Sequence, residues 1–454
     1  MKTYDVIVIG AGVATAIVFK ALSHGLTVAL VDGGQLGGTC LNVGCVPSKT
    51  FIYPADVIAE IQSAGRLGIT ARIDRIRFDN IGKRVRKIIT DGRSAIGEAI
   101  ADTRKLDFYH EHVHFAEPDI LETGREAITG RKLFIASGAR TAIPPVKGLG
   151  EIAYLTNENL PGLRQIPASL TILGGGYIAV EYGHFFAAMG TRVTILQKGD
   201  RILPLEEPEI SDALKRALSR RMKILTGVDV LEFRKTQGGV SASYRSGPGR
   251  RVEAVVSERV LVAAGRRSNA DALGIEKSGI RTDERDYIQV NDFLETNRKN
   301  VWALGDAIGK QMFTHAGDRE AVVAWHNAAG GGRKMKMDFS AVPHAVFTYP
   351  PIASIGLTES EAGKSQEILV GKAGYSDIVR GDAMVEKEGF AKAIVSKKTG
   401  RILGFHIIGP QAPELIQEVA YVVAHRETAA SILETMHIFP TLSELIPEAL
   451  NSLK

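Results

Sequence analysis

The 454 residues predict an α/β chain that carries two βαβ nucleotide-binding units and ends in a strand-rich α+β region. Three observations lead there. An apolar, β-branched run from Tyr4 to Ile9 opens into Gly10-Ala11-Gly12; the same order of strand, glycines and helix returns from Ser169 to Gly176; and from Met337 onward short apolar strands alternate with turns.

Length and composition set the outer bounds. A chain this long divides into two to four domains, each with its own core. Hydrophobic residues at 44% and charged residues at 24% are globular values, which argues against a disordered chain. The formal charge of +5 is spread without a Lys/Arg block interleaved with aromatics, so nucleic-acid binding is not expected. No apolar run approaches the roughly 18 residues needed for a bilayer span. Met1 to Ile9 runs straight into a strand with no signal-peptide cleavage region, and a cytoplasmic protein is expected. Cys40 and Cys45 are the only cysteines. In such a chain two close thiols read as redox, catalytic or metal-binding groups, because the loop they close is too short to restrain much unfolded chain.

Taken in order, the first βαβ unit runs from the Tyr4 strand through a helix ending near Leu22 to a strand at Thr27 to Val31, closed by Asp32. Gly10 and Gly12 allow a tight turn and close approach of a pyrophosphate; the helix N-terminus faces the phosphates, and Asp32 is placed for a ribose hydroxyl. Thr15 replaces the usual third glycine. The segment Gly38 to Lys49 follows at once, so its thiols are expected beside whatever the nucleotide carries. Phe51 to Ile61 and Ile81 to Ile100 read as helices. The second is rich in Lys83, Arg84, Arg86, Lys87 and Arg93, read as a solvated face. His110, His112 and His114 alternate along an expected strand and would share one face, about 7 Å apart, awkward for one small ion. A strand at Lys132 to Ala136 leads into Ser137-Gly138-Ala139-Arg140, where the first domain should end.

The second unit has Gly174-Gly175-Gly176-Tyr177, a helix to Met189 and a strand from Arg192 to Leu196. Two such units imply two nucleotides. Where an NAD site shows an acid, this chain has Gln197 and Lys198, with Arg201 close behind; loss of the acid and gain of cations favour NADPH over NADH. Val228 to Val262 reads as a surface hairpin with turns at Gly238-Gly239 and Gly247-Pro248-Gly249. The chain leaves this unit after Gly265-Arg266, forms a strand from Asn300 to Leu304 ending in Gly305-Asp306-Ala307, then a helix from Asp318 to Ala329, and crosses a linker at Gly330-Gly331-Gly332. Helices are expected at Glu414 to Arg426 and Ala429 to Thr435.

These residues resemble the class I flavoprotein disulfide reductases, the family of dihydrolipoamide dehydrogenase, glutathione reductase and mercuric reductase, over essentially the full length. The most specific mark is Gly37-Gly38-Thr39-Cys40-Leu41-Asn42-Val43-Gly44-Cys45-Val46-Pro47-Ser48-Lys49, supported by Ala136-Ser137-Gly138, Gly305-Asp306-Ala307 and Phe347-Thr348-Tyr349-Pro350. The resemblance implies two Rossmann-like domains, an FAD domain (1–148 and 268–336) around an inserted NAD(P)H domain (149–267), and a C-terminal dimerisation domain (337–454) that makes a homodimer. It implies FAD contacts from Gly10, Gly12, Asp32, Gly38, Thr39, Ser137, Gly138, Gly305, Asp306 and Ala307. NADPH contacts follow from Gly174, Gly176, Gln197, Lys198, Arg201 and Gly265. Cys45 would lie against the flavin as the charge-transfer thiolate, with Cys40 the more exposed thiol that meets substrate. Lys49 would stand near the flavin paired with Glu181, and Tyr177 would cover the nicotinamide pocket.

The pattern breaks near the C-terminus. Disulfide-reducing members carry His before a Pro-Thr pair, whereas here Phe439 precedes Pro440-Thr441. Glu444, which would orient that His, is retained, and His437 lies two residues upstream. A positioned base contributes roughly 10²–10⁴-fold to such proton transfers, so a substrate that needs no proton shuttle fits better. Mercuric reductases also lack the His, and a soft cation such as Hg(II) binds thiolates directly at Cys40 and Cys45 as a transient substrate ion. They also differ: they place a Tyr where this chain has Thr441, and they end in a Cys pair where it ends Asn451-Ser452-Leu453-Lys454. Small thiols would then deliver the ion, and a metallochaperone domain ahead of Gly10 is not expected. The alternatives are a dihydrolipoamide dehydrogenase-like reductase of a disulfide or quinone, and a low-turnover flavoprotein binding component.

Overall fold

The computed structural model describes residues 1–247, 249, 251–330 and 332–454. Strand β1 (Lys2–Ile9), helix α1 (Thr15–Ser23) and strand β2 (Val28–Val31) form the first βαβ unit, with Val6 opposite Val28 and Ile9 opposite Val31 in parallel register. Val6, Val8, Val28 and Leu30 are wholly buried, as the uninterrupted apolar runs of a strand covered on both faces require. Next come α2 (Gly38–Val43), α3 (Cys45–Ser63) and α4 (Phe78–Ala101), then β3 (Leu106–Tyr109), β4 (His114–Glu117), β5 (Ile120–Glu122) and β6 (Ala127–Ile135). The sheet order is β3-β2-β1-β6-β5-β4, and the late strand Val301–Ala303 pairs parallel with β6. The chain therefore returns to its first sheet after building a second one.

That excursion begins at β7 (Ala139–Thr141). It continues through β8 (Ser169–Leu173), α5 (Tyr177–Ala188), β9 (Arg192–Gln197), α6 (Pro208–Leu218), β10 (Lys223–Thr226), β11 (Asp229–Thr236), β12 (Gly239–Arg245), β13 (Val252–Ser257), β14 (Arg259–Val262) and β15 (Arg266–Ser268). The parallel sheet β10-β9-β8-β14 is the second nucleotide unit, and β7 and β15 pair antiparallel where the chain enters and leaves it. The expected hairpin is a three-stranded antiparallel sheet, β11-β12-β13. Of its second turn, Pro248 lies outside the described residues, as does Gly331 of the expected linker.

Both phosphate turns are built alike. Gly10 has φ +108 and Gly174 φ +111, and at each a Cβ would stand 2.2 Å from a carbonyl oxygen, of Ala136 and Ala263 respectively. Only glycine fits a left-handed turn pressed against a neighbouring strand end.

After α7 (Ile275–Ser278), β16 (Val301–Ala303) and α8 (Thr314–Ala329), the C-terminal region forms a five-stranded antiparallel sheet. Its strands are β17 (His344–Val346), β18 (Ile352–Gly356), β19 (Ile368–Gly374), β20 (Phe390–Ser396) and β21 (Ile402–Ile408), in the order β17-β18-β21-β20-β19. Between them lie α9 (Glu359–Gly363) and α10 (Val379–Ala383), and α11 (Ala412–Ala424), α12 (Ala429–Leu433) and α13 (Leu445–Asn451) follow. Ile355, Phe405, Ile407, Ile416 and Leu445 share the core between this sheet and its helices.

The histidine row does not exist as a face. β3 ends at Tyr109, paired with Val31, and the chain crosses to the opposite edge of the sheet before β4 starts at His114. His110 instead contacts the Gly34 carbonyl at 2.9 Å, and His114 pairs with Glu122 at 3.2 Å.

Lys392 of β20 is 2% exposed and lies 2.8 Å from Glu207, 2.7 Å from Glu209 and 2.6 Å from Glu359. Burial opposes its charge, but the hydrogen bonds to these carboxylates outweigh burial and raise its pKa. The cluster joins α6 to the C-terminal sheet. Lys392→Met should strand the buried Glu207 charge and cost about 3–5 kcal/mol in thermal or denaturant unfolding. A loss under about 0.5 kcal/mol would show that the cluster does not hold the two parts together.

Candidate active site

The thiol segment is shaped by glycine and by one asparagine. Gly37 and Gly38 have φ +91 and +59, and a Cβ on Gly38 would stand 2.8 Å from the Cα of Gly12, so α2 starts directly on the first phosphate turn. Asn42 is buried and donates to the carbonyls of Gln35 (3.2 Å), Leu36 (3.0 Å) and Gly38 (2.7 Å), while its side-chain oxygen accepts from Arg93 Nε. Arg93, read as part of a solvated basic face, thus reaches inward to brace the residue midway between the thiols. Gly44 then breaks the backbone between α2 and α3. A Cβ there would meet the Thr39 carbonyl at 2.8 Å, and Cys45 becomes the first residue of α3.

Cys40 and Cys45 are free thiols that hydrogen-bond to each other, and Cys45 Sγ lies 3.4 Å from Thr314 Oγ1 at the start of α8. The hydrogen bond from Cys40 is the largest influence on Cys45; with Thr314 and the Lys49 charge it overcomes burial and brings the Cys45 pKa down to about 6. Cys40, holding the shared proton and partly buried, is pushed strongly up. Cys40 is half-buried, and Cys45 faces the side on which the FAD residues converge. Cys45 heads α3 beside Thr314, whereas Cys40 sits within α2.

One turn along α3, Lys49 Nζ makes a forked contact with Glu181 of α5, at 3.0 and 2.9 Å. The backbone N–H of Phe347 also donates to Glu181 at 3.0 Å, and Lys49 stands 4.7 Å over the Phe347 ring. Tyr177, one turn before Glu181, donates its hydroxyl to Glu206 at 3.0 Å.

The residues assigned to FAD converge at the C-terminal ends of β1, β6 and β16. Asp32 accepts from the N–H groups of Ala11 (2.6 Å) and Gly34 (2.7 Å), which fixes the carboxylate beside the Gly10 turn. Thr39 lies in the first turn of α2, and Gly138 has φ +72. Asp306, followed by buried Ala307, is paired with Arg266 at 3.1 Å; burial raises its pKa. Gly305 N–H donates to buried Glu320 at 2.6 Å, and burial lifts the Glu320 pKa to about 8. Buried atoms without a protein partner here include Ser137 Oγ, Arg266 Nε and Glu320 Oε1. Bare polar atoms beside a glycine cradle fit a large polar cofactor.

On the second nucleotide side, Gly176 caps α5 with open space where a Cβ would stand, and Gly265 has φ +128. Gln197 packs over Gly175 and donates to the Arg201 carbonyl at 3.1 Å. Lys198 is exposed, 3.5 Å from Asp229, and Arg201 is half exposed, 3.5 Å from Asp212. At the far end, Phe439 is 69% exposed, with Met436 and Ile438 also exposed. His437 is engaged with Glu418 at 2.9 Å and the Thr435 carbonyl at 3.0 Å, and Glu444 accepts from Thr441 N–H at 3.1 Å.

Two nucleotide cradles flanking a dithiol define a flavin- and pyridine-nucleotide-dependent redox enzyme. Residues 4–332 match the model for pyridine nucleotide-disulphide oxidoreductases, and residues 342–450 match the dimerisation domain of that family. The chain is 34% identical to mycothione reductase of Mycobacterium tuberculosis over 470 aligned positions, covering all of both proteins. It is 29% identical to mercuric reductase of Lysinibacillus sphaericus, covering 97% of this chain and 81% of the relative. The Cu(II) complex of the HOCl-induced flavoprotein disulfide reductase RclA from Escherichia coli superposes with a TM-score of 0.86 at 27% identity, covering 99% of each chain. The chain belongs to the pyridine nucleotide-disulphide oxidoreductase family. It is an FAD-dependent NAD(P)H oxidoreductase, and its dimerisation domain supports a homodimer. Among the described residues no helix is long and apolar enough to cross a membrane.

Arg93, Arg266, Thr314, Glu206 and Glu320 carry no sequence signature that tied them to the site. Only Arg266, beside Gly265, adjoined a residue already assigned to it. Thiolate absorbance of the reduced protein should show one thiol, Cys45, ionising with an apparent pKa near 6: charged above it, neutral below it as the thiolate gains its proton. A midpoint that survives replacement of Cys45 by Ser, or one near 9, would contradict the assignment.

Proposed function

We propose that the chain is an NADPH-dependent reductase that uses Cys40 and Cys45 to hold and reduce a thiophilic metal ion, Hg(II) to Hg(0). The observation that carries this reading is Phe439: where disulfide-reducing relatives place an imidazole, this chain has a phenyl ring, and His437, two residues upstream, is engaged with Glu418. Bound FAD supplies the two-electron relay between NADPH and the dithiol. The chain's own residues then have separable tasks. Cys45, ionised at neutral pH, and Cys40 supply two soft sulfur ligands. Lys49 lowers the thiolate's energy and is itself fixed by Glu181; Tyr177 covers the nicotinamide pocket. The overall change balances as NADPH and Hg(II) going to NADP⁺, H⁺ and Hg(0), with no leaving thiol to protonate. A cytoplasmic homodimer served by small thiols suits this chemistry.

A disulfide acceptor is the second reading, favoured by the higher identity to mycothione reductase. Steady-state kcat/KM across Hg(II) in excess thiol, lipoamide, glutathione disulfide and a quinone separates them. The metal ion should lead the disulfides by at least about 10²-fold, the contribution of the missing base. Lipoamide or glutathione disulfide leading instead would sink the reading. Phe439→His should raise disulfide turnover; no rise would mean that the base is not what limits it.

The preference for NADPH rests on Gln197, Lys198 and Arg201. Replacing Lys198 and Arg201 together by Ala should raise KM for NADPH about 10–100-fold, the scale of lost charge-assisted hydrogen bonds, and leave KM for NADH unchanged. A wild-type KM lower for NADH than for NADPH would overturn the preference.

A further inference from the structure

Tyr177 is held by a carboxylate that several elements share. Glu206, on the loop between β9 and α6, is 4% exposed. One of its oxygens accepts from Tyr177 at 3.0 Å and contacts His344 Nε2 of β17 at 2.6 Å; the other accepts from Ser354 of β18 at 2.7 Å. Burial would favour the neutral acid, but the hydrogen bonds from His344, Ser354 and Tyr177 prevail and hold Glu206 ionised, below the usual carboxylate range. An ionised carboxylate only accepts, so His344 Nε2 carries the proton and donates it. The His344 ring also lies 5.8 Å from the Tyr177 ring and stacks at 5.4 Å on Phe313, the residue before Thr314.

This geometry solves a problem that any movable cover faces. If Tyr177 were the sole partner of a buried carboxylate, swinging it aside would strand a charge. With His344 and Ser354 in place, one donor remains on each oxygen after Tyr177 leaves. We propose that Glu206 and His344 are positioning residues for Tyr177: they hold the ring in its resting place and let it move aside for nicotinamide at the loss of a single hydrogen bond. This rests on the reading of Tyr177 as the cover of the nicotinamide pocket. His344 lies three residues before Phe347, whose N–H holds Glu181, so one stretch of the C-terminal region braces both carboxylates next to the nicotinamide cleft.

The test is NADP⁺ binding to the FAD-loaded enzyme by calorimetry, with no turnover. Tyr177→Phe removes the holding bond and should tighten binding about 5–20-fold. His344→Phe keeps a stacking ring but removes the second donor, so that opening leaves one Glu206 oxygen bare; binding should weaken several-fold. His344→Gln, which restores a donor, should return binding toward wild type. The double variant Tyr177→Phe, His344→Phe should bind like Tyr177→Phe alone, because the two effects are coupled through Glu206. Should His344→Phe fail to fold, Glu206→Gln takes its place and should tighten binding about 3–10-fold by weakening the hold. If Tyr177→Phe and Tyr177→Ala both bind NADP⁺ as wild type does, the cover reading itself fails. If they differ from wild type while His344→Phe has no effect or adds independently, the cover reading stands and the positioning role is wrong; an unchanged Glu206→Gln counts the same way.

Discussion

The forked pair between Lys49 and Glu181 is the contact on which the site depends. Lys49 is one turn from Cys45 on α3, Glu181 is one turn from Tyr177 on α5, and Phe347 of the C-terminal region donates to the same carboxylate. Three parts of the chain are registered at one point. Glu181 is 5% exposed, and a buried carboxylate is tolerable there because each of its oxygens has a charged donor. A second rung lies farther along the same helices, where fully buried His184 contacts Asp56 at 2.8 Å and Arg221 at 3.3 Å. Arginine can only donate, so His184 Nδ1 accepts and its Nε2–H goes to Asp56. Burial, the largest influence, keeps that imidazole neutral by lowering its pKa. The thiol-bearing helix is therefore tied to α5 at two points, Lys49–Glu181 and Asp56–His184.

Much of this was legible from local pattern, and the parts that were not are long-range. The glycine turns at Gly10 and Gly174 could be read because a tight left-handed turn before a helix is a property of a few adjacent residues, and the structure gives the two nearly equal backbone angles, each over the carbonyl of an alanine from a neighbouring strand end. The return of the chain to its first sheet came from the family resemblance that Gly305-Asp306-Ala307 helps to carry, and β16 does pair with β6. The histidine row failed because alternation assumes an unbroken strand, and the chain instead crosses the sheet between His110 and His114. Arg93 was misread for a related reason: helix periodicity shows which residues share a face, and it does not show that an asparagine from another helix waits beneath one of them.

The thiol segment and the residue on which the proposed choice of acceptor rests lie at opposite ends of the chain. Cys40 and Cys45 make the redox pair, and nothing in their geometry chooses between a disulfide and a soft cation. The choice rests on a proton: reducing a disulfide produces a leaving thiolate that must be protonated, while reducing a dithiolate-bound metal ion does not. In the proposed reading Phe439 stands where the proton carrier would be, and Glu444 accepts from the backbone of Thr441 in a helical turn.

The most direct test of this account is the yield of elemental mercury per NADPH oxidised, measured by trapping the vapour from purified enzyme with Hg(II) in excess thiol. The account predicts one Hg(0) for each NADPH, with turnover lost on replacing either Cys40 or Cys45 by Ser. NADPH oxidation without Hg(0), or Hg(0) formation that survives loss of both thiols, would contradict it.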